Sequence, residues 1–220
     1  MSPPLGALVG VLVGGALCLA VPWLVARTSE VPRGRWLLPG SVLAGAVSGG
    51  SAGASLDSGW ALAPVLLAAP SCVALAFIDW HTRLLPSKIV LPATGAVLAL
   101  LAVEWAVTGE HDAPLRALIG LVVARLIYWV LWFVHSAGMG FGDVRLAALL
   151  GLVLGRAGWA ELVVGTYAPF LLFAVPGLLL ALVRRDRSLL RAAYPFGPFM
   201  VVGALLGVLA GPALVGLITA

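Results

Sequence analysis

The sequence predicts an all-α protein, a polytopic bundle of about eight membrane helices (seven to eight) forming one domain over residues 1–220. Three observations lead there. Hydrophobic residues make up 62% of the 220 and charged residues only 10%, and mean hydropathy is +1.11, a composition of the membrane class. The 27 glycines and 15 prolines follow no strict period, which excludes a collagen-like chain, and both residues are commoner in membrane helices than in soluble ones. The apolar residues fall into stretches close to the roughly 20 needed to cross a bilayer.

Taken in order, the first span, about 5–26, starts at Leu5 with no basic region ahead of it, so a first membrane helix is expected rather than a cleavable signal. It ends at Arg27, Arg33 and Arg35. The second, about 37–56, stops before Asp57, and the third, about 60–78, stops at Asp79, ahead of Arg83, Pro86 and Lys88. The fourth, about 88–107, leads to Glu110 and Asp112. The fifth, about 115–135, carries Arg125 inside it and ends at a glycine-rich run. The sixth, about 143–155, is the shortest and is expected to form a hairpin with the seventh, about 160–183. Arg184, Arg185, Arg187 and Arg191 precede the eighth, about 195–219. No stretch is polar or long enough for a separate soluble domain.

The charges orient these spans. Ten basic residues lie in one set of loops, from Arg27 to Arg191, and only Arg116 and Arg156 in the alternate set. The positive-inside rule places the first set in the cytoplasm, with Asp57, Glu110, Asp112 and both termini outside. The isoelectric point near 9.7 is therefore a topology signal. No basic stripe with interleaved aromatics points to nucleic acid. Cys18 and Cys72 fall inside apolar spans without a Cys-x-x-Cys, so they read as buried thiols and no metal site is expected.

Two acids stand out. Asp79 and Asp143 both sit at span boundaries, 143 − 79 = 64 residues apart, with two crossings between them, so parity returns both to the cytoplasmic side. Ionisable groups at hydrophobic depth are costly and mark function. Two carboxyls that meet and share a proton can activate water: one takes its proton while the other polarises a carbonyl and helps the amine leave. Gly138, Gly140 and Gly142 precede Asp143 and permit positive φ and close approach of an extended substrate. Pro86 stops the segment after Asp79 and holds Leu85 extended. The sequence reads as a membrane aspartyl hydrolase.

Together these residues resemble the type IV prepilin peptidases. Asp79-Trp80-His81-Thr82-Arg83-Leu84-Leu85-Pro86 is similar to that family's first motif, an aspartate followed by a Leu/Ile-Pro pair. Gly140-Phe141-Gly142-Asp143 resembles its GxGD motif, shared with presenilin-type proteases, although lysine is commoner where Arg145 stands. Tyr194-Pro195-Phe196-Gly197-Pro198-Phe199 is similar to its C-terminal PFGPF segment. The resemblance covers about residues 60–210. It implies Asp79 and Asp143 as the catalytic pair, with Pro195 and Gly197 joining Pro86, Gly138, Gly140 and Gly142 around the substrate. It also implies prepilin or pseudopilin precursors as substrates, cut after a short basic leader at the cytoplasmic face of a bacterial cell membrane, with glycine preferred just before the cut. Many family members carry a cytoplasmic insert with two Cys-x-x-Cys pairs after the first helix and methylate the new N-terminus. Here that place holds the nine residues Arg27 to Arg35, without cysteine, so a peptidase-only short form with no cofactor is expected.

The remaining polar residues read as structural. His81, His135 and Trp80 are ordinary at a membrane boundary. Arg125 is expected to pair with Glu104 across the fourth and fifth spans, since an unpaired buried charge is costly. A transporter would place acids near mid-membrane with internal repeat symmetry, which the sequence lacks. A scaffold would not need two same-side aspartates.

Overall fold

The computed structural model describes residues 2–32, 34–56, 59–134, 139–184 and 195–219, with side chains undescribed from 177 to 184 and at 218–219. Among the described residues there is no strand. The helices are α1 (Pro3–Leu17), α2 (Val21–Thr28), α3 (Leu37–Ser55), α4 (Gly59–Thr82), α5 (Ser87–Thr108), α6 (Asp112–Val134), α7 (Phe141–Ala157), α8 (Trp159–Arg184) and α9 (Gly197–Thr219). A 3-10 turn, Cys18–Ala20, joins α1 to α2, making one 26-residue rod that begins at Pro3. The turn lies where Pro22, lacking an N–H, cannot donate to the Cys18 carbonyl; the Val21 N–H donates there instead, and the Ser41 hydroxyl on α3 lies 3.3 Å from the same oxygen.

Six of the rods are long and apolar enough to cross a membrane. The bundle is all-α and polytopic, as the sequence predicts, and differs in its details. Asp79 lies inside α4, which runs on to Thr82, rather than beyond its end. The sixth span is a 17-residue helix that begins at Phe141, and Asp143 sits in its first turn. Its main neighbour is α6 rather than α8, which pairs with α9.

Small residues explain the pairing. Helices in lipid gain little from burying apolar surface against each other, so close backbone approach and dispersion must hold them. Between α1 and α3, a Cβ added at Gly10 would stand 1.9 Å from the Gly49 carbonyl oxygen. Between α6 and α7, one at Gly120 would stand 2.3 Å from that of Gly151. Much of the glycine content is interface.

Two helices lie at the centre. In α4 the most apolar stretch is 61% buried, against 22% in α6. In α7, thirteen residues from Asp143 to Arg156 are buried. A helix enclosed all round by protein is apolar on every face, and α7 owes its shortness to facing protein rather than lipid. Its far end is clamped. Arg156 Nε donates to both Glu104 carboxylate oxygens, at 3.0 and 2.9 Å, and Arg116 donates to the Gly155 and Arg156 carbonyls at 2.7 and 3.1 Å. The expected Glu104–Arg125 pair is therefore corrected. Arg125 is exposed on the outer face of α6, while Glu104 points inward at α7, where Arg156 meets it.

Candidate active site

Asp79 and Asp143 come from these two most enclosed helices and are themselves 4% and 6% exposed. Both line one cleft of about 890 Å³. Asp79 occupies the last turn of α4, which ends when Arg83 adopts φ +56° and donates its N–H to the Asp79 carbonyl at 2.8 Å. That is a left-handed helix cap, taken here by a non-glycine residue for which the conformation is uncommon. The reversal carries Leu85 and Pro86 back along the cleft, and Pro86, at ψ 121°, caps α5.

Asp143 is held by its own helix start. Its Oδ2 accepts the Gly140 N–H at 2.9 Å, the half of a capping box in which a glycine can take part. Arg145, two residues on, donates to Ser87 Oγ at the start of α5 and lies 4.9 Å over the Phe141 ring. These contacts tie the loop after Asp79 to the loop before Asp143.

The two loops touch. A Cβ at Gly142 would fall 2.7 Å from Leu85 Cβ, whereas one at Gly140 would meet nothing nearer than 3.5 Å. Gly140 is extended, at φ −77°, and the positive-φ glycine among the described residues is Gly109. The expected need for positive φ in this loop is thus corrected at Gly140, and Gly142 is set by space rather than by handedness.

The third segment reaches Asp79 from 118 residues away. Gly197 donates its N–H to Asp79 Oδ2 at 2.8 Å, a charge-assisted bond when the carboxyl is ionised. Phe196 positions that amide. Its ring lies 5.3 Å from Phe170, 5.7 Å from Phe173 and 6.3 Å from Tyr128, while Tyr128 donates its hydroxyl to the Thr166 carbonyl at 3.3 Å.

Of the residues singled out in the sequence, Asp79, Pro86, Gly140, Gly142, Asp143 and Pro195 line the cleft, and Gly197 buttresses Asp79 from behind. Gly138, His135, Asp57, Arg33, Arg185, Arg187, Arg191 and Tyr194 lie outside the described residues. His81 turns away, its Nδ1 2.8 Å from the Phe77 carbonyl, and Trp80 is exposed. Sequence reasoning missed Thr28, Ser29 and Glu30, at the end of α2, which form one wall of the cleft. Their only signal was a lone acid among arginines.

A model of the type IV leader peptidase family matches residues 66–184, a stretch containing both aspartates and both of their loops. The chain belongs to the type IV leader peptidase family. It is 36% identical over 143 residues to a prepilin leader peptidase/N-methyltransferase of Pseudomonas putida, covering 64% of this chain and 47% of that protein. It is 33% identical over 159 residues to one of Aeromonas salmonicida, covering 71% and 52%, and 33% identical over 138 residues to one of Escherichia coli strain K12, covering 60% and 56%. The chain spans about half the length of these relatives. No solved structure matches it. As a family member with six apolar helices of spanning length, it is a multi-pass membrane protein.

Proposed function

We propose that this chain, as a single domain, is an aspartyl endopeptidase that removes the leader from type IV prepilin or pseudopilin precursors at the cytoplasmic boundary of a bacterial cell membrane. The observation that carries the reading is that the two most enclosed helices each turn an aspartate into one cleft. Asp79 and Asp143 share one proton. The ionised carboxylate takes a proton from water, whose oxygen attacks the scissile carbonyl, and the protonated carboxyl donates to the carbonyl oxygen. Collapse of the tetrahedral adduct returns a proton to the amine, and the C–N bond breaks. The Gly197 and Gly140 amides hold one oxygen of each carboxylate, leaving the others to the reaction. Pro86, Pro195 and the glycine loop, Gly138 included, flank an extended substrate backbone. The basic loops put the cleft on the cytoplasmic side.

Asp79→Asn and Asp143→Asn conserve shape and remove the shared proton. Each, purified and incubated with a prepilin, should leave the leader uncut while the protein stays inserted, and the double variant should be no worse. Near-normal turnover by either would end the aspartyl mechanism. We further propose that these residues transfer no methyl group, since only the nine residues Arg27 to Arg35 stand where the family's insert belongs. With labelled S-adenosylmethionine present, the cleaved product should carry an unmodified N-terminus; a product heavier by one methyl group would refute this.

A further inference from the structure

Among the described residues, the lining of the cleft has the opposite charge balance to the molecule. The chain has 13 basic and 9 acidic residues, yet among the described residues the charged side chains lining the cleft are Asp79, Asp143 and Glu30 against Arg83. Two of these acids are buried, held by backbone amides, and assigned to the chemistry. Glu30 differs on each count. It is exposed and makes no ion pair among the described residues. It stands just past the C-terminus of α2, where the helix's last carbonyls add partial negative charge. An uncommitted carboxylate at the open rim attracts a cation arriving from water.

We propose that Glu30 is a specificity-determining residue that receives a lysine or arginine side chain of the substrate, on the N-terminal side of the bond to be cut. The inference rests on the peptidase reading above and deepens it. An apolar substrate segment must stay toward the bundle and lipid, so the polar segment occupies the exposed rim. A cation seated on Glu30 therefore fixes which way the chain runs through the cleft. Arg83 on the same cleft, and Arg145 bonded to Ser87 of its lining, repel a basic leader seated against them. Glu30 lies outside the matched stretch 66–184, in the connection that is short here.

The test uses the purified full chain in liposomes and three versions of one precursor, with basic, uncharged (Lys/Arg→Gln) and acidic (Lys/Arg→Glu) leaders. Glu30→Gln should raise KM for the basic leader about 3- to 10-fold, as expected for loss of one partly solvated charge pair, with kcat within about twofold. It should not change KM for the uncharged leader. Glu30→Lys should process the acidic leader better than the wild type does. The wild-type advantage on the basic leader should shrink in high salt. Equal KM for Glu30→Gln and wild type on the basic leader overturns the proposal, as does an equal loss on basic and uncharged leaders, which would mark Glu30 as merely structural. Those outcomes leave the peptidase reading standing, whereas a wild-type protein that cuts none of the precursors removes that reading and this one with it.

Discussion

Replacing Gly197 with alanine probes the longest-range contact of the site. A Cβ there would lie 2.9 Å from Asp79 Oδ2, 3.2 Å from Cγ and 3.3 Å from Asp79's own Cβ. Carbon does not approach a carboxylate oxygen so closely, so either the start of α9 or the Asp79 side chain must move by several tenths of an ångström. The helix start is pinned by Phe196 in its aromatic nest, which leaves the carboxylate to move. The 2.8 Å bond from the Gly197 N–H is then stretched or lost. A hydrogen bond to a charged group contributes about 1.5–3 kcal/mol. If that stabilisation is felt in the transition state, kcat falls by about 10- to 150-fold at 1.36 kcal/mol per tenfold. KM should change little, because Gly197 stands behind Asp79. The assay is steady-state cleavage of a prepilin by purified protein, with thermal unfolding in the same detergent to show that the bundle survives. Gly95→Ala is the control, since a Cβ at Gly95 meets nothing within 4 Å. A Gly197→Ala protein with kcat within twofold of wild type would refute the claim that this amide orients Asp79.

Three other outcomes are expected. Gly142→Ala should reduce cleavage by at least tenfold because its Cβ collides with Leu85 Cβ at 2.7 Å beside Asp143, and Leu85→Gly in the same chain, which removes that Cβ, should restore part of the loss; activity unaffected by Gly142→Ala would show that the loops do not need this contact. Glu104→Ala leaves Arg156 buried without its partner and should cost about 3–5 kcal/mol in thermal or denaturant unfolding, whereas Arg125→Ala, on the exposed face of α6, should not cause a comparable loss; the reverse ranking would restore the Glu104–Arg125 pairing. Cysteines placed at Ser188 should react with a membrane-impermeant label only from the cytoplasmic side and at Ser58 only from outside, and the opposite pattern would invert the topology and the substrate side.

What the sequence by itself determined are the properties that hydropathy and chain order carry. The number of rods, the membrane class and the parity that returns Asp79 and Asp143 to one end all follow from the lengths of apolar stretches, because the hydrocarbon core accepts only a segment of a certain length whatever it packs against. The resemblance of the Asp79, Asp143 and Gly197 segments also lay in linear order, and it brought the candidate residues forward before any contact was known. Tertiary structure decided what depends on the rotation of one helix against another. Each residue turns a helix face by 100°, so the sequence could not tell that Arg125 would look outward and Arg156 inward, and the partner of Glu104, 52 residues away, was misplaced. For the same reason the role of Gly142 as clearance for Leu85, the amide of Gly197 reaching Asp79 across 118 residues, and the presence of Glu30 on the cleft wall were not legible. An apolar pattern states that a side chain is buried or faces lipid, and only the packed bundle states against what.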